Sequence, residues 1–334
     1  MLHSLNEWAY RRWRPCFFIA VSVFCWNGLV AAQKLRAAPA TFITALPVSQ
    51  DQLLARFSFN PTLSSNPSAP SGGTQVNNYQ FPETFLYGLT DKIALALDAR
   101  QGFSSMQEGL PQGSQSLSAS GFGDTLVFAR YTLLDLDYPG STFRIAPLVG
   151  AYLPTGYYRQ SNSAGPLPLA LQNGSGSVDS FLGLTAAFYN RNYGFSWDAT
   201  WRHNLPASGG FDLGDEYRTD GEFEWRLLPR SLPSSYLPNE LWGVVETNCI
   251  WNNRSVVSGS LDSASGGFTW LFWSGVDYAT LHWELGAEVG VPVIQNLNGP
   301  GAIDQIVSFR LFYEYYLAMP SWREKKKPHP NLGT

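Results

Sequence analysis

No run in this 334-residue chain approaches the roughly 18 to 20 consecutive apolar residues that a membrane-spanning helix needs, and mean hydropathy is only −0.13. A helical membrane protein is thereby excluded. Charge is scarce too: 14% of residues are Asp, Glu, Lys or Arg and the net charge is −4, so no basic footprint exists for nucleic acid. Cysteine occurs three times. Cys16 and Cys25 fall in an N-terminal leader, which leaves Cys249 without a disulfide partner and excludes a thiolate metal site. Histidine numbers four, and beyond the leader no segment repeats its apolar residues with a helical period. What is abundant is aromatic: 12 Trp, 16 Tyr and 21 Phe.

The N-terminus reads as an export signal. Arg11, Arg12 and Arg14 precede a short apolar stretch from 16 to 26. Small residues follow at Val30-Ala31-Ala32, with Ala38-Pro39-Ala40 as a second cleavage site. The apolar stretch is too short for a membrane anchor, the alternative reading. Removing residues 1–32, with three Arg and one Glu, takes the net charge from −4 to −6. The expected organisation is a signal peptide (1–32), a periplasmic lead (33–51), a β-domain (52–316) and a periplasmic tail (317–334).

Residues 281–293 set the pattern of that β-domain. Leu281, Trp283, Leu285, Ala287, Val289, Val291 and Val293 alternate with His282, Glu284, Gly286, Glu288, Gly290 and Pro292. Successive side chains of a strand point to opposite faces, so one face here is apolar and the other carries carboxylates. The sharpest alternation follows Asp215, with Glu216, Arg218, Asp220, Glu222, Glu224 and Arg226 opposing Tyr217, Thr219, Phe223, Trp225 and Leu227. Ten further segments alternate similarly, at 53–59, 81–89, 92–100, 124–133, 142–153, 178–188, 193–202, 241–251, 268–278 and 305–316. Short turns follow Leu89, Leu133, Tyr189 and Tyr278, and 134–140 turns the chain. Polar loops are expected at 61–78, 102–121, 154–176, 204–214 and 252–267, with a Pro-rich connection at 229–240. Glu83 breaks the pattern by sharing a face with Phe81, Phe85 and Tyr87, which a bulge would explain.

About twelve strands of roughly ten residues, with connections alternating short and long, predict a transmembrane antiparallel up-and-down β-barrel. Unpaired backbone groups inside a bilayer force such a sheet to close. An Arg or Lys facing lipid costs about 2 to 4 kcal/mol at the midplane, so the charged faces look inward. The expected lumen therefore carries Arg56, Asp98, Arg100, Asp124, Arg130, Arg144, Asp179, Asp198 and Arg202. From later strands it takes Glu216, Arg218, Asp220, Glu222, Glu224, Arg226, Glu246, Asp277, His282, Glu284, Glu288, Arg310 and Glu314. Aromatics at strand ends (Trp201, Tyr217, Tyr278, Tyr313, Tyr315) suit interfacial girdles. A soluble β-sandwich is the competing fold, but the Trp and Tyr on apolar faces exceed one core.

Catalytic chemistry is thin. His203 and His282 stand near no Ser-containing nucleophile motif, so no catalytic residue and no enzyme activity is expected. The Glu222/Glu224 and Glu284/Glu288 pairs suit a glycosidase in principle, but a charged lumen holds such pairs without catalysis. Asp212, Asp215 and Glu216 read as a solvated loop rather than a calcium site. Gly174-Ser-Gly-Ser precedes no helix and is a turn, not a phosphate cradle. No metal or cofactor is expected.

Five segments in order resemble a known family: Tyr87-Gly-Leu-Thr-Asp-Lys92; Gly121-Phe-Gly-Asp124 with Ala129-Arg-Tyr131; Ala146-Pro-Leu-Val-Gly150 with Leu153-Pro-Thr-Gly156; Gly174-Ser-Gly-Ser-Val-Asp179 with Leu182-Gly-Leu184; and His282-Trp-Glu-Leu285 with Val291-Pro-Val-Ile-Gln-Asn-Leu-Asn-Gly299. Across about residues 75–316 the chain resembles the outer-membrane proteins labelled MetA-pathway of phenol degradation. The resemblance implies a bacterial outer-membrane location and a passive channel or transporter for small, aromatic or apolar molecules. A plugged barrel without flux and an outer-membrane hydrolase are the alternatives. The expected partners are outer-membrane lipid and a small-molecule solute. The chain departs from barrels that end on an aromatic of the last strand, because residues 317–334 run on.

Overall fold

A computed structural model describes residues 43–46, 48–67, 73–110, 113–163, 165–168, 171–207, 211–233, 238–257, 259–299 and 302–319. The expected signal peptide and the tail from residue 320 lie outside these. Twelve antiparallel strands, each beside its neighbour in sequence, form one closed sheet. They are β1 (Gln52–Asn66), β2 (Thr74–Gly88), β3 (Ile93–Leu110), β4 in three pieces (Gly113–Phe122, Thr125–Tyr131, Leu134–Tyr138), β5 (Ser141–Leu153) and β6 (Asp179–Asn190). Then come β7 (Tyr193–His203), β8 (Glu216–Leu228), β9 (Glu240–Asn252), β10 (Gly267–Ala279), β11 (Trp283–Leu297) and β12 (Asp304–Ala318). The seam pairs β1 with β12, from Gln52 opposite Ala318 to Ser65 opposite Asp304. No strand edge is left unpaired around the ring, as a bilayer requires.

The short connections and the chain's entry to β1 and exit from β12 share one end, and the long loops share the other. Parity decides the faces. On β8 and β9 even-numbered residues are buried, and on β10 odd-numbered ones are. The opposite parity exposes Phe195, Phe223, Trp251, Phe272 and Leu285. That many exposed aromatics and aliphatics on one continuous surface exceeds what a water-soluble monomer carries.

Three expectations are corrected. Residues expected as loops at 61–78 and 102–121 largely continue β1 to β4 as tall hairpins. Their Ser, Gln and Asn content reads as loop, yet Val76, Met106, Leu117 and Ala119 keep strand parity and bury against Leu167 and Leu171. Residues 134–138, expected as a turn, pair with β5. No bulge sits at Glu83, since β2 pairs β3 without a shift from Thr74–Glu108 to Gly88–Ala94. Glu83 faces outward and accepts a 3.3 Å hydrogen bond from Gln101. The pairing of β1 with β2 skips from Glu83 to Gln80, across Pro82, which has no N–H to give the ladder.

Candidate functional site

The inner wall divides into two halves of different chemistry. On β1 to β6 the inward side chains Leu54, Leu86, Ala94, Ala96, Leu126, Phe128, Leu148 and Phe181 form one apolar cluster. The same half carries four arginines (Arg56, Arg100, Arg130, Arg144) and fewer carboxylates: Asp98, Asp124 and Asp179, with Asp135 and Asp137 paired to Arg144. On β7 to β12 there are again four arginines (Arg202, Arg218, Arg226, Arg310). Eleven carboxylates face them: Asp198, Glu216, Asp220, Glu222, Glu224, Glu240, Glu246, Asp277, Glu284, Glu288 and Glu314. Cations are shared evenly and anions are not. Among the described residues, neither carboxylate oxygen of Glu222 or of Asp277 has a hydrogen-bond partner.

Glycines explain how large side chains fit beside these acids. A Cβ on Gly286 would lie 2.0 Å from the Phe312 ring, and one on Gly290 would lie 2.4 Å from the Trp273 ring. The alternating Glu and Gly of β11 thus leave room for aromatics reaching over from β12 and β10. Arginines lie on those rings: Arg56 is 4.8 Å from the Phe312 centroid and Arg310 is 4.5 Å from that of Trp273. Glu314 binds Arg56 at 2.6 Å, and Glu288 and Glu246 approach Arg310 at 3.5 and 3.9 Å. Trp273 donates its indole N–H to Asn248 at 2.7 Å.

Part of the lead expected in the periplasm enters the lumen instead. The Ile43 N–H donates to Asp198 at 3.2 Å. Thr185 donates its hydroxyl to the Ile43 carbonyl at 2.8 Å, and Arg130 donates to the Thr44 carbonyl at 2.6 Å. Ala45 packs with Ala146, Ala187 and Tyr189, and Val48 joins the apolar cluster. Between this strap and the wall lies a cavity of about 220 Å³. Leu54, Leu86, Phe128 and Phe181 border it, with Arg56, Asp98, Arg100 and Arg130 of the same half among them and Asp198, Arg218 and Asp220 of the other half.

At the long-loop end, three of the segments quoted above meet. Asp124 accepts the N–H of Gly156 at 3.2 Å and of Ser175 at 2.8 Å. Gly156 and Gly174 touch so closely that a Cβ on either would lie 2.6 Å from the other's backbone. Asp179 accepts from Ser177 at 2.6 Å, from the Leu205 N–H at 3.1 Å and from Arg202. Gly156, Ser175 and Ser177 of the connection between β5 and β6 are thereby tied to Asp124 and Asp179, and Leu171 of the same connection is fully buried.

Of the charged residues expected in the lumen, Arg130, Asp198, Asp220, Glu222, Glu224, Glu246, Asp277, Glu284, Glu288, Arg310 and Glu314 are buried on the strand parity opposite the exposed aromatics, while Asp124, Asp179 and Arg202 join this knot. His282 does neither; it is exposed in the turn between β10 and β11, its N–H donating to Thr280. The alternation of residues 281–293 extends past the strand's true start at Trp283, which produced that misplacement. Sequence reasoning missed Glu240, which pairs with Arg226 at 3.3 Å; the Pro-rich connection before it hid its parity with Trp242. It also missed the strap, whose partners lie up to 155 residues away. His203 bonds Asp215 at 2.9 Å, and among the described residues no serine hydroxyl bonds either histidine. Among those residues no group of His, Cys, Asp or Glu is arranged to hold a metal ion.

No family model matches the chain, and no curated protein matches it. Among solved structures, an outer membrane channel from Pseudomonas putida F1 aligns over 84% of this chain and 100% of its own, with a TM-score of 0.59 at 15% identity. The β domain of the Bordetella autotransporter BrkA aligns over 80% and 99%, with a TM-score of 0.40 at 12% identity. The CymD monoaromatic hydrocarbon channel aligns over 81% and 89%, with a TM-score of 0.36 at 9% identity. The first of these shares the whole barrel; the other two are too distant to add to it. The chain is thus a closed, twelve-stranded transmembrane β-barrel with the fold of the Pseudomonas putida F1 outer membrane channel.

Proposed function

We propose that this protein sits in the bacterial outer membrane after loss of its leader and passively conducts small molecules with an apolar or aromatic body. The observation that carries this reading is the lumenal cavity of about 220 Å³, lined by an apolar cluster interspersed with charged side chains. A twelve-stranded bore lies between barrels filled by side chains and those holding a wide water channel, so the cavity is the part a solute can use. The apolar cluster lowers the cost of taking a hydrophobic solute out of lipopolysaccharide or water. The fold shared with a channel supports the same reading.

One observation favours the second reading, a barrel closed to flux: residues 43–46 and 48 pack against the inner wall. The test is uptake of labelled toluene and glucose into proteoliposomes by the intact protein and by a variant lacking 43–48. A conducting channel takes up toluene in both forms and faster in the deletion. Uptake indistinguishable from empty liposomes in both forms refutes conduction.

A further inference from the structure

Arg130 differs from every other inward arginine. The other seven each lie within 4.0 Å of a carboxylate. Arg130 is 2% exposed and, among the described residues, has no carboxylate at ion-pair distance. Its Nη1 donates to the Thr44 carbonyl and its Nη2 has no partner. The neighbours across the sheet are Ala94 and Leu148, both buried and apolar. A buried guanidinium left without a counterion is costly, and a single carbonyl offsets little of that cost. Arg130 also borders the lumenal cavity beside Leu54, Leu86, Phe128 and Phe181. A cation therefore waits at the edge of an apolar trough, with one of its two amino groups unused.

Building on the channel reading, we infer that the cavity receives a small apolar or aromatic carboxylic acid in its ionised form. The carboxylate replaces the Thr44 carbonyl on Arg130 and engages both Nη1 and Nη2, while the hydrocarbon lies against Leu54, Leu86 and Phe128. The planar fork of arginine matches a carboxylate in two parallel hydrogen bonds, which an alcohol or amide oxygen does not reproduce. Occupation also frees the strap at Thr44, because one guanidinium edge does not serve both acceptors. Asp198 and Thr185 still hold Ile43, so the strap loosens at one point and is not expelled.

The test compares benzoate with its neutral isostere benzamide. In proteoliposomes of the full protein, the ratio of benzoate to benzamide uptake is measured for the parent, Arg130→Gln and Arg130→Lys. The ratio is used because loosening the strap speeds both solutes. It falls about tenfold in Arg130→Gln, the loss of hydrogen bonds to a charged group, and by less in Arg130→Lys. Heat-modifiable gel mobility verifies that each variant is a folded barrel. An unchanged ratio in folded Arg130→Gln overturns the inference and leaves the channel intact. If neither solute enters through the parent, conduction fails, and calorimetric titration of benzoate into the detergent-solubilised protein decides the inference alone. Binding that Arg130→Gln abolishes supports it; no binding, or binding that survives, overturns it. The displacement is read from Thr44→Cys in the leaderless protein with Cys249 changed to Ser. Benzoate, and not benzamide, raises maleimide labelling at position 44; equal labelling refutes the exchange at Arg130.

Discussion

The half of the wall built by β1 to β6 and the half built by β7 to β12 carry the same number of arginines and differ almost wholly in their carboxylates. The first is a hydrocarbon surface with a few isolated ion pairs. The second is an ionic network packed around Trp242, Trp273 and Phe312. Both look inward, so lipid avoidance alone does not account for the contrast. The strap sits across it: Val48 packs in the apolar cluster while Ile43 is held by Asp198 on the ionic side. One barrel thus presents a solute with oil on one side and charge on the other, which a uniformly charged porin lumen does not offer.

Exchanging chemistry between the halves gives the largest expected effects. Leu86→Glu places a carboxylate in the apolar cluster and is expected to cost about 3 kcal/mol or more. The opposite exchange, Glu222→Leu, removes oxygens that have no hydrogen-bond partner and is expected to be neutral or stabilising. Urea unfolding in lipid vesicles measures both, and equal losses would dissolve the distinction between the halves.

A next test acts within the ionic half. Gly286→Val puts a side chain where the Phe312 ring lies and is expected to cost about 1 to 3 kcal/mol as overpacking. Gly286→Val combined with Phe312→Ala should recover part of it, in the same unfolding assay. A more modest effect concerns ions. The excess of carboxylates predicts cation preference, and Asp277→Asn with Glu222→Gln should move the reversal potential in a KCl gradient toward zero. An unchanged potential would place the conducting path along the apolar half.

The smallest effect lies outside the bilayer. Burial pushes the Asp215 carboxyl up, but hydrogen bonds from His203, the Asn204 N–H and the Trp201 indole outweigh it and hold the group below its ordinary 3.8. A depressed acid contributes stability above its unfolded value and loses it as pH falls through the folded one. Loop 204–215 should therefore become more protease-sensitive only in strong acid, and Asp215→Asn should abolish that dependence, as limited proteolysis with pepsin would report.

Much of the barrel was legible because a period of two survives wherever one face meets lipid. Glu216 to Leu228 shows it with almost no exceptions. The halves were not legible, since parity tells which residues point inward and not which strands face each other. The segments 61–67, 73–78, 102–110 and 113–121 read as loops because Ser, Gln and Asn take many of their outward positions, while Met106 and Leu117 stay inside. His282 was assigned to the lumen by extending an alternation one residue past the turn at Thr280. The strap at Ile43 and Thr44 left no trace in sequence, since its ties use backbone groups, which every residue possesses.

The bond between Arg56 and Glu314 joins the first strand to the last. A polypeptide released early, before residue 304, lacks both the final rung and the anion that neutralises Arg56. Such a fragment meets the bilayer with two raw edges and an unquenched positive charge on its inside surface. The contact that fastens the finished cylinder is thus one that only a chain reaching Glu314 can make.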